Sequence, residues 1–213
     1  MRTLAVLLAA CLVLAGAAQA ATPVQTKWNV RQYGFSIILP PKWYAVPRTV
    51  EAVQQTIALA KKQKLTALAT EYGFYLTAAG KSQLKTFQFQ AFLDVGPTSD
   101  PITPQLSVQV TPLGKKRPYK TSDLSAAGNT YARAIATGNK GSKVTVPKRI
   151  SLPEGPAELI EGTIPEGGGL SDGFQFYLLI HKGKLYVFKF DIDATMLAQA
   201  TVFRSIAENV RWL

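Results

Sequence analysis

The segment that most limits what this chain can become is a pair of apolar, aromatic runs, Phe174 to Ile180 and Leu185 to Phe190, joined by His181-Lys182-Gly183-Lys184. Such runs around a Lys-Gly tip predict a β-hairpin with a two-residue turn. That turn sets the register: Ile180 faces Leu185 and Leu178 faces Val187 on one side, while Leu179 faces Tyr186 and Tyr177 faces Phe188 on the other. Both faces are apolar, so both must be covered. Downstream, Asp193 can cap a helix in which Met196, Ala200, Phe203, Ile206 and Val210 recur at helical spacing before Trp212. The expected class is α/β in the α+β sense: an α-β-α sandwich whose mainly antiparallel sheet has helices on both faces.

Earlier elements follow from the same periodicities. After a short linker, Tyr33 to Leu39 is rich in β-formers and is stopped by Pro40-Pro41, which predicts a strand leaving into a loop that carries Trp43 and Tyr44. Thr49 caps an expected helix, with Glu51 in its first turn and Val50, Val53, Ile57, Leu65 and Leu68 at helical spacing up to Gly73. Lys61, Lys62 and Lys64 lie late in it, where a helix dipole favours bases. Strands are expected at Phe74 to Ala78, Phe87 to Val95, Leu106 to Val110, Val144 to Ile150 and Ala157 to Thr163, with a second helix from Ser122-Asp123 to Gly138. Pro165 to Gly173 is glycine-rich and is expected to be a loop.

At the N-terminus, Arg2, the apolar run Leu4 to Ala17 and Ala18-Gln19-Ala20 have the form of a secretory signal peptide cut after Ala20. Residues 1–20 are then the leader and 21–213 one domain, with an inserted helix near 49–72, working in the periplasm or outside the cell. Leu8-Ala9-Ala10-Cys11 also resembles a lipobox, but cutting there would leave Leu12 to Ala17 as an apolar new terminus. The run falls short of the roughly 20 apolar residues that span a bilayer, and nothing later is long and apolar enough to span one.

Cleavage removes Cys11, the one cysteine, and leaves one histidine, His181. Zinc sites draw mainly on Cys and His, so no metal or cofactor is expected. A Ser-His-Asp triad would need His181, which falls at the hairpin tip and is expected to be an exposed turn residue. Gly167-Gly168-Gly169 lacks the Lys-Ser/Thr of a phosphate loop. Asp191 and Asp193 are explained by a strand end followed by a helix cap, and Glu158 with Glu161 make a carboxylate pair no more than any two acids would. The expectation is a chain with no catalytic residues.

Charge points to a partner. With 24 Lys and Arg against 13 Asp and Glu the formal net charge is +11, and the excess is uneven. Bases crowd between Pro112 and Arg149, whereas Glu154, Glu158, Glu161, Glu166 and Asp172 follow without a base between them. A basic middle beside an acidic loop region can steer anionic partners. An acidic protein of the envelope is the expected one, with Lys115, Lys116, Arg117 and Lys120, or the Trp43/Tyr44 loop, as docking residues. Nucleic acid fits the charge but not an exported protein. A small apolar or lipid-like ligand held between the sheet and the Thr49 to Tyr72 helix is the alternative.

Tyr33-Gly34-Phe35-Ser36-Ile37-Ile38-Leu39-Pro40 with Trp43, then Pro156-Ala157-Glu158-Leu159-Ile160, then Gly183 to Phe190 leading into Phe203-Arg204-Ser205-Ile206, together resemble the Mog1/PsbP-like superfamily, as an exported bacterial member. The resemblance covers most of the chain and contains no catalytic motif. It implies an α-β-α sandwich that binds other proteins: members include an extrinsic photosystem II subunit, a Ran-binding factor and exported bacterial proteins. The inserted helix departs from it, and a lone His181 leaves nothing onto which a histidine metal site could be carried.

Overall fold

The computed structural model describes residues 25–93, 103–114, 119–194 and 200–213. Strand β1 (Thr26–Val30) pairs with β2 (Phe35–Leu39), and β3 (Trp43–Ala45) follows. Helices α1 (Val50–Lys62), α2 (Thr66–Phe74) and α3 (Ala78–Thr86) precede β4 (Phe89–Leu93) and β5 (Gln105–Pro112). Helix α4 (Thr121–Gly138) leads into β6 (Lys143–Val144), β7 (Lys148–Leu152), β8 (Gly155–Gly167), β9 (Leu170–His181) and β10 (Lys184–Asp193). Helix α5 (Ala200–Glu208) and β11 (Arg211–Trp212) end the chain. The large sheet runs β3-β4-β5-β10-β9-β8-β6, with β7 also on β8, and a small sheet runs β1-β2-β11.

The β9–β10 hairpin has the expected register, Leu185 opposite Ile180 through Phe188 opposite Tyr177. Lys182 and Gly183 have φ of 43° and 74°, the two left-handed residues of a type I′ turn. Its two apolar faces meet separate covers. Tyr177, Leu179, Tyr186, Phe188 and Phe190 pack under Phe35, Ile37 and Leu39 of β2 and Phe203 and Ile206 of α5. On the opposite face Phe174, Phe176, Leu178, Leu185 and Val187 pack under Leu124 of α4. A third cluster joins Phe92 of β4 to Val53, Leu68, Tyr72 and Leu84 from α1, α2 and α3. The α-β-α sandwich therefore forms as expected, with a small sheet sharing one outer layer with α5.

Several local expectations fail for definable reasons. The helix expected from Thr49 to Gly73 is two helices. Leu65 N donates to Ala60 O and Lys64 N to Lys61 O, a Schellman closure with Lys64 at φ 61° where glycine is usual, so no glycine or proline marks the break. Phe74 to Ala78 is not a strand. The Thr77 hydroxyl accepts from Gly80 N at 3.1 Å and caps α3, and Gly80 lets α3 cross so closely that a Cβ would lie 2.3 Å from Phe74 O. The linker before Tyr33 contains β1. Trp43 and Tyr44 belong to strand β3 instead of a loop. Strand pairing consumes most of Pro165 to Gly173, leaving Gly168 and Gly169 as the turn, and Val144 to Ile150 splits into β6 and β7. The final helix ends at Glu208, and Trp212 is a strand residue on Phe35. Met196 and the leader lie outside the described residues.

Candidate functional site

Strand β1 is one edge of the small sheet and β3 one edge of the large sheet. Beside these edges lies a half-open cleft of about 350 Å³, with α1 and α2 contributing to its wall. Ordinary ligand sites occupy roughly 300 to 1,000 Å³. Trp28 from β1, Lys42 from the turn before β3, Trp43 and Tyr44 of β3, and Tyr72 from α2 line it. Trp43 N donates to Pro40 O at 3.2 Å, and Lys42, at φ 66°, follows Pro41. That is a type II turn, in which proline suits the second position and a left-handed residue is required at the third. A left-handed residue with a Cβ costs about 1 to 2 kcal/mol. Lys42 is the one charged residue on the cleft wall among the described residues.

Strand alternation separates the two aromatic residues expected to act together. Trp43 is 5% exposed and packs edge-on to Phe203, its ring centroid 6.3 Å away. Tyr44 turns to the opposite face, against Phe92. The Tyr72 hydroxyl donates to Ala45 O at 3.0 Å, and burial pushes the phenol up to about 12, with Tyr44 adding to the shift. Trp28, Lys42 and Tyr72 were missed by sequence reasoning. The alternation of Thr26-Lys27-Trp28-Asn29-Val30 and the Pro-Pro-Lys turn were the signals available for the first two.

Lys115, Lys116 and Arg117 lie outside the described residues. Lys120 is exposed, and its backbone N–H donates to Asp123 Oδ2 at 2.8 Å as α4 begins. The acidic stretch is not a loop. Apart from Glu154, in the turn after β7, it forms β8 and the start of β9, and β7 pairs with β8 so that Arg149 faces Glu158. Glu158 is 3% exposed; Arg149 Nη2 reaches its Oε1 at 2.6 Å and Nε at 2.8 Å, and the Ser125 hydroxyl donates to the same oxygen at 2.8 Å. Glu161 accepts from Gln175, and Glu154 accepts from Trp212 N. Much of the acidic stretch is thus engaged internally. By contrast, Arg133, Lys140, Lys143 and Lys148 are exposed and form no ion pair among the described residues. Arg133 lies beside Val146, which is 84% exposed, whereas Lys143 and Lys148, opposite Thr163 and Leu159, are on the sheet face away from α4.

His181 is not a bare tip residue. Its ring stacks on Trp212 at 4.3 Å and 7°, and its Nε2 is buried without a hydrogen-bond partner. Burial, reinforced by Lys182, lowers its pKa against the opposing pull of Glu154. At the far end of the hairpin Asp172 is pushed up to about 6 by burial, then by Glu166 and Asp191, with Lys189 opposing. Asp191 is also raised by burial and forms a 3.2 Å ion pair with Lys189. Neither group is joined to a nucleophile and base, and no cluster of metal-ligating side chains occurs among the described residues. What the arrangement offers is recognition surface: an aromatic cleft at two sheet edges and exposed bases spread over α4, β6 and β7.

No protein-family model matches the sequence, and no curated protein does either. Solved structures match by shape. The solution structure of cyanobacterial PsbP (CyanoP) from Synechocystis superposes with a TM-score of 0.57 at 9% identity, over 94% of this chain and 99% of that one. The chain has the Mog1/PsbP-like fold. LpqN of Mycobacterium tuberculosis gives a TM-score of 0.50 at 11% identity over 88% and 89% of the two chains. The Ran-binding protein Mog1p of Saccharomyces cerevisiae gives 0.46 at 8% identity over 90% and 96%. In this chain α1 to α3 lie between β3 and β4, and α2 contributes Tyr72 to the cleft. No helix among the described residues is long and apolar enough to cross a membrane.

Proposed function

We propose that this chain is a non-catalytic, exported interaction module that docks on an acidic protein partner in the cell envelope. The observation that carries the reading is an imbalance of free charge. Acids of β8 are engaged within the protein, while Arg133, Lys140, Lys143 and Lys148 stay exposed, Arg133 beside Val146. A surface left with such an excess of base suits an acidic partner, since complementary charge speeds encounter. Export is supported by the signal-like N-terminus, and the fold is shared with LpqN, a protein described as involved in cell envelope biogenesis.

The test is affinity capture from the envelope with the mature protein, followed by association kinetics on the partner recovered. Charge reversal at Arg133, Lys143 and Lys148, and separately at Lys115, Lys116 and Arg117, should slow association and flatten its salt dependence, because rim charges act mainly on the on-rate. Unchanged rates in both variants would remove the electrostatic reading. The 350 Å³ cleft favours one second reading, a carrier of a small apolar or lipid-like ligand.

A further inference from the structure

Resting on the reading of this chain as an interaction module, we propose that the open edge of β3 is a main-chain clamp that takes an extended segment of the partner, adding it as a parallel strand. The ladder geometry leads there. In an antiparallel pair, successive residues send their N–H and C=O alternately to the neighbour and away from it. Val46 N donates to Gln90 O at 2.8 Å, while Leu93 N donates away from β3, to Pro104 O. With Tyr44 opposite Phe92 and Ala45 opposite Ala91, the main-chain groups of Tyr44 and Val46 face β4, and those of Trp43 and Ala45 face the open edge.

Of the four outward groups, two are already used. Trp43 N–H donates to Pro40 O, and Ala45 C=O accepts from the Tyr72 hydroxyl. Trp43 C=O and Ala45 N–H remain, an acceptor at one position and a donor two positions on, on the same side of the strand. That pair is what a parallel neighbour uses to hold one residue, accepting its N–H and donating to its C=O. The aromatic cleft lies against this edge. Trp28 and Tyr44 can grip the neighbouring side chains of an incoming segment. Lys42, held in its left-handed conformation at the mouth, adds a positive charge that no acid on the wall offsets. The segment that fits is extended, with an accessible backbone and an acidic or acceptor-bearing side chain beside the clamped residue.

Linear twelve-residue peptides selected from a random display library on the purified full-length protein are the probe. The Ala45 amide should exchange rapidly with solvent in the free protein and slow at least about tenfold once a selected peptide binds, the weight of one good hydrogen bond. Ala45→Pro removes an outward N–H, which edge strands tolerate, and should weaken that peptide about tenfold while leaving the melting temperature nearly unchanged. If Ala45→Pro does not fold, N-methylation along the peptide supplies the second arm: methylating the clamped residue alone should abolish binding. Ala45 already protected in the free protein would overturn the clamp, because the chain's own N-terminal segment or a second copy would then cover the edge. Peptides indifferent to both changes would overturn it too, as would an edge that selects no peptide but binds fatty acid. An envelope partner held equally well by Ala45→Pro but lost on charge reversal of the exposed bases would refute the clamp and leave the module reading standing.

Discussion

Removing Arg149 isolates the carboxylate of Glu158, and the structure sets the size of the effect. Glu158 is almost fully buried between α4 and the sheet, and three donors converge on its Oε1, two of them from Arg149. The same guanidinium donates to Thr121 O and Ser125 Oγ, so it also ties the first turns of α4 to β7. Breaking a buried pair from one side costs about 3 to 5 kcal/mol. The Arg149 side chain is 31% exposed, so water can reach its side of the contact and Arg149→Met should fall near the lower end, about 3 kcal/mol. Arg149→Met combined with Glu158→Leu removes the stranded charge and should recover most of that loss, since apolar replacement of a buried pair is often neutral. Urea denaturation of the two single variants and the double variant measures the cycle. A loss under about 1 kcal/mol in Arg149→Met, the range of exposed pairs, or a double variant as weak as the single, would refute the view that Glu158 depends on this partner.

Phe203→Ala, which empties a site stacked on Phe190 and edge-on to Trp43, should cost about 3 to 5 kcal/mol in chemical denaturation. His181→Ala should cost about 0.5 to 1.5 kcal/mol through the lost Trp212 stack, in place of the negligible effect expected of an exposed tip. Asp172 is raised from 3.8 to about 6 in the folded protein, so between these values the native state binds more protons than the unfolded one and stability falls as pH rises. Asp172→Asn should therefore stabilise at pH 7, by about 1 kcal/mol after allowance for solvent screening, and do nothing near pH 4; a gain equal at both pH values would sink the assignment. Lys64→Gly relieves the left-handed strain of the Schellman closure and should raise stability by about 1 kcal/mol, read from the urea midpoint.

What could be read from the residues was whatever one period decides locally. The β9–β10 register follows from a two-residue turn and alternating side chains, and the structure reproduces it pair by pair. Helix α4 was likewise legible from Leu124, Ala127, Tyr131 and Ile135. Break points set by backbone conformation were not. Lys64 and Lys42 take left-handed geometry without glycine, and α3 depends on how close Gly80 comes to Phe74, a distance set by tertiary packing. The cleft was hidden for another reason: Trp28, Lys42 and Tyr72 come from separate segments and meet only when two sheet edges and helix α2 converge. Net charge misled in a third way. Bases and acids that look like separate blocks along the chain are partly antiparallel neighbours, as Arg149 and Glu158 are.

The pairing of β11 with β2 sets an order of events in time. Ser36 lies opposite Arg211, and Leu213 N donates to Gly34 O, so β2 is completed by residues far along the chain. Contacts this distant in sequence are the slow ones to form. Until they form, the apolar side of β2 waits uncovered for Phe203, Ile206 and the far strands it packs against. The seam would thus hold this face open to chaperones until a late step closes it. Shaving a few residues from the C-terminus should then show itself first as sluggish refolding and aggregation, ahead of any change in the large sheet.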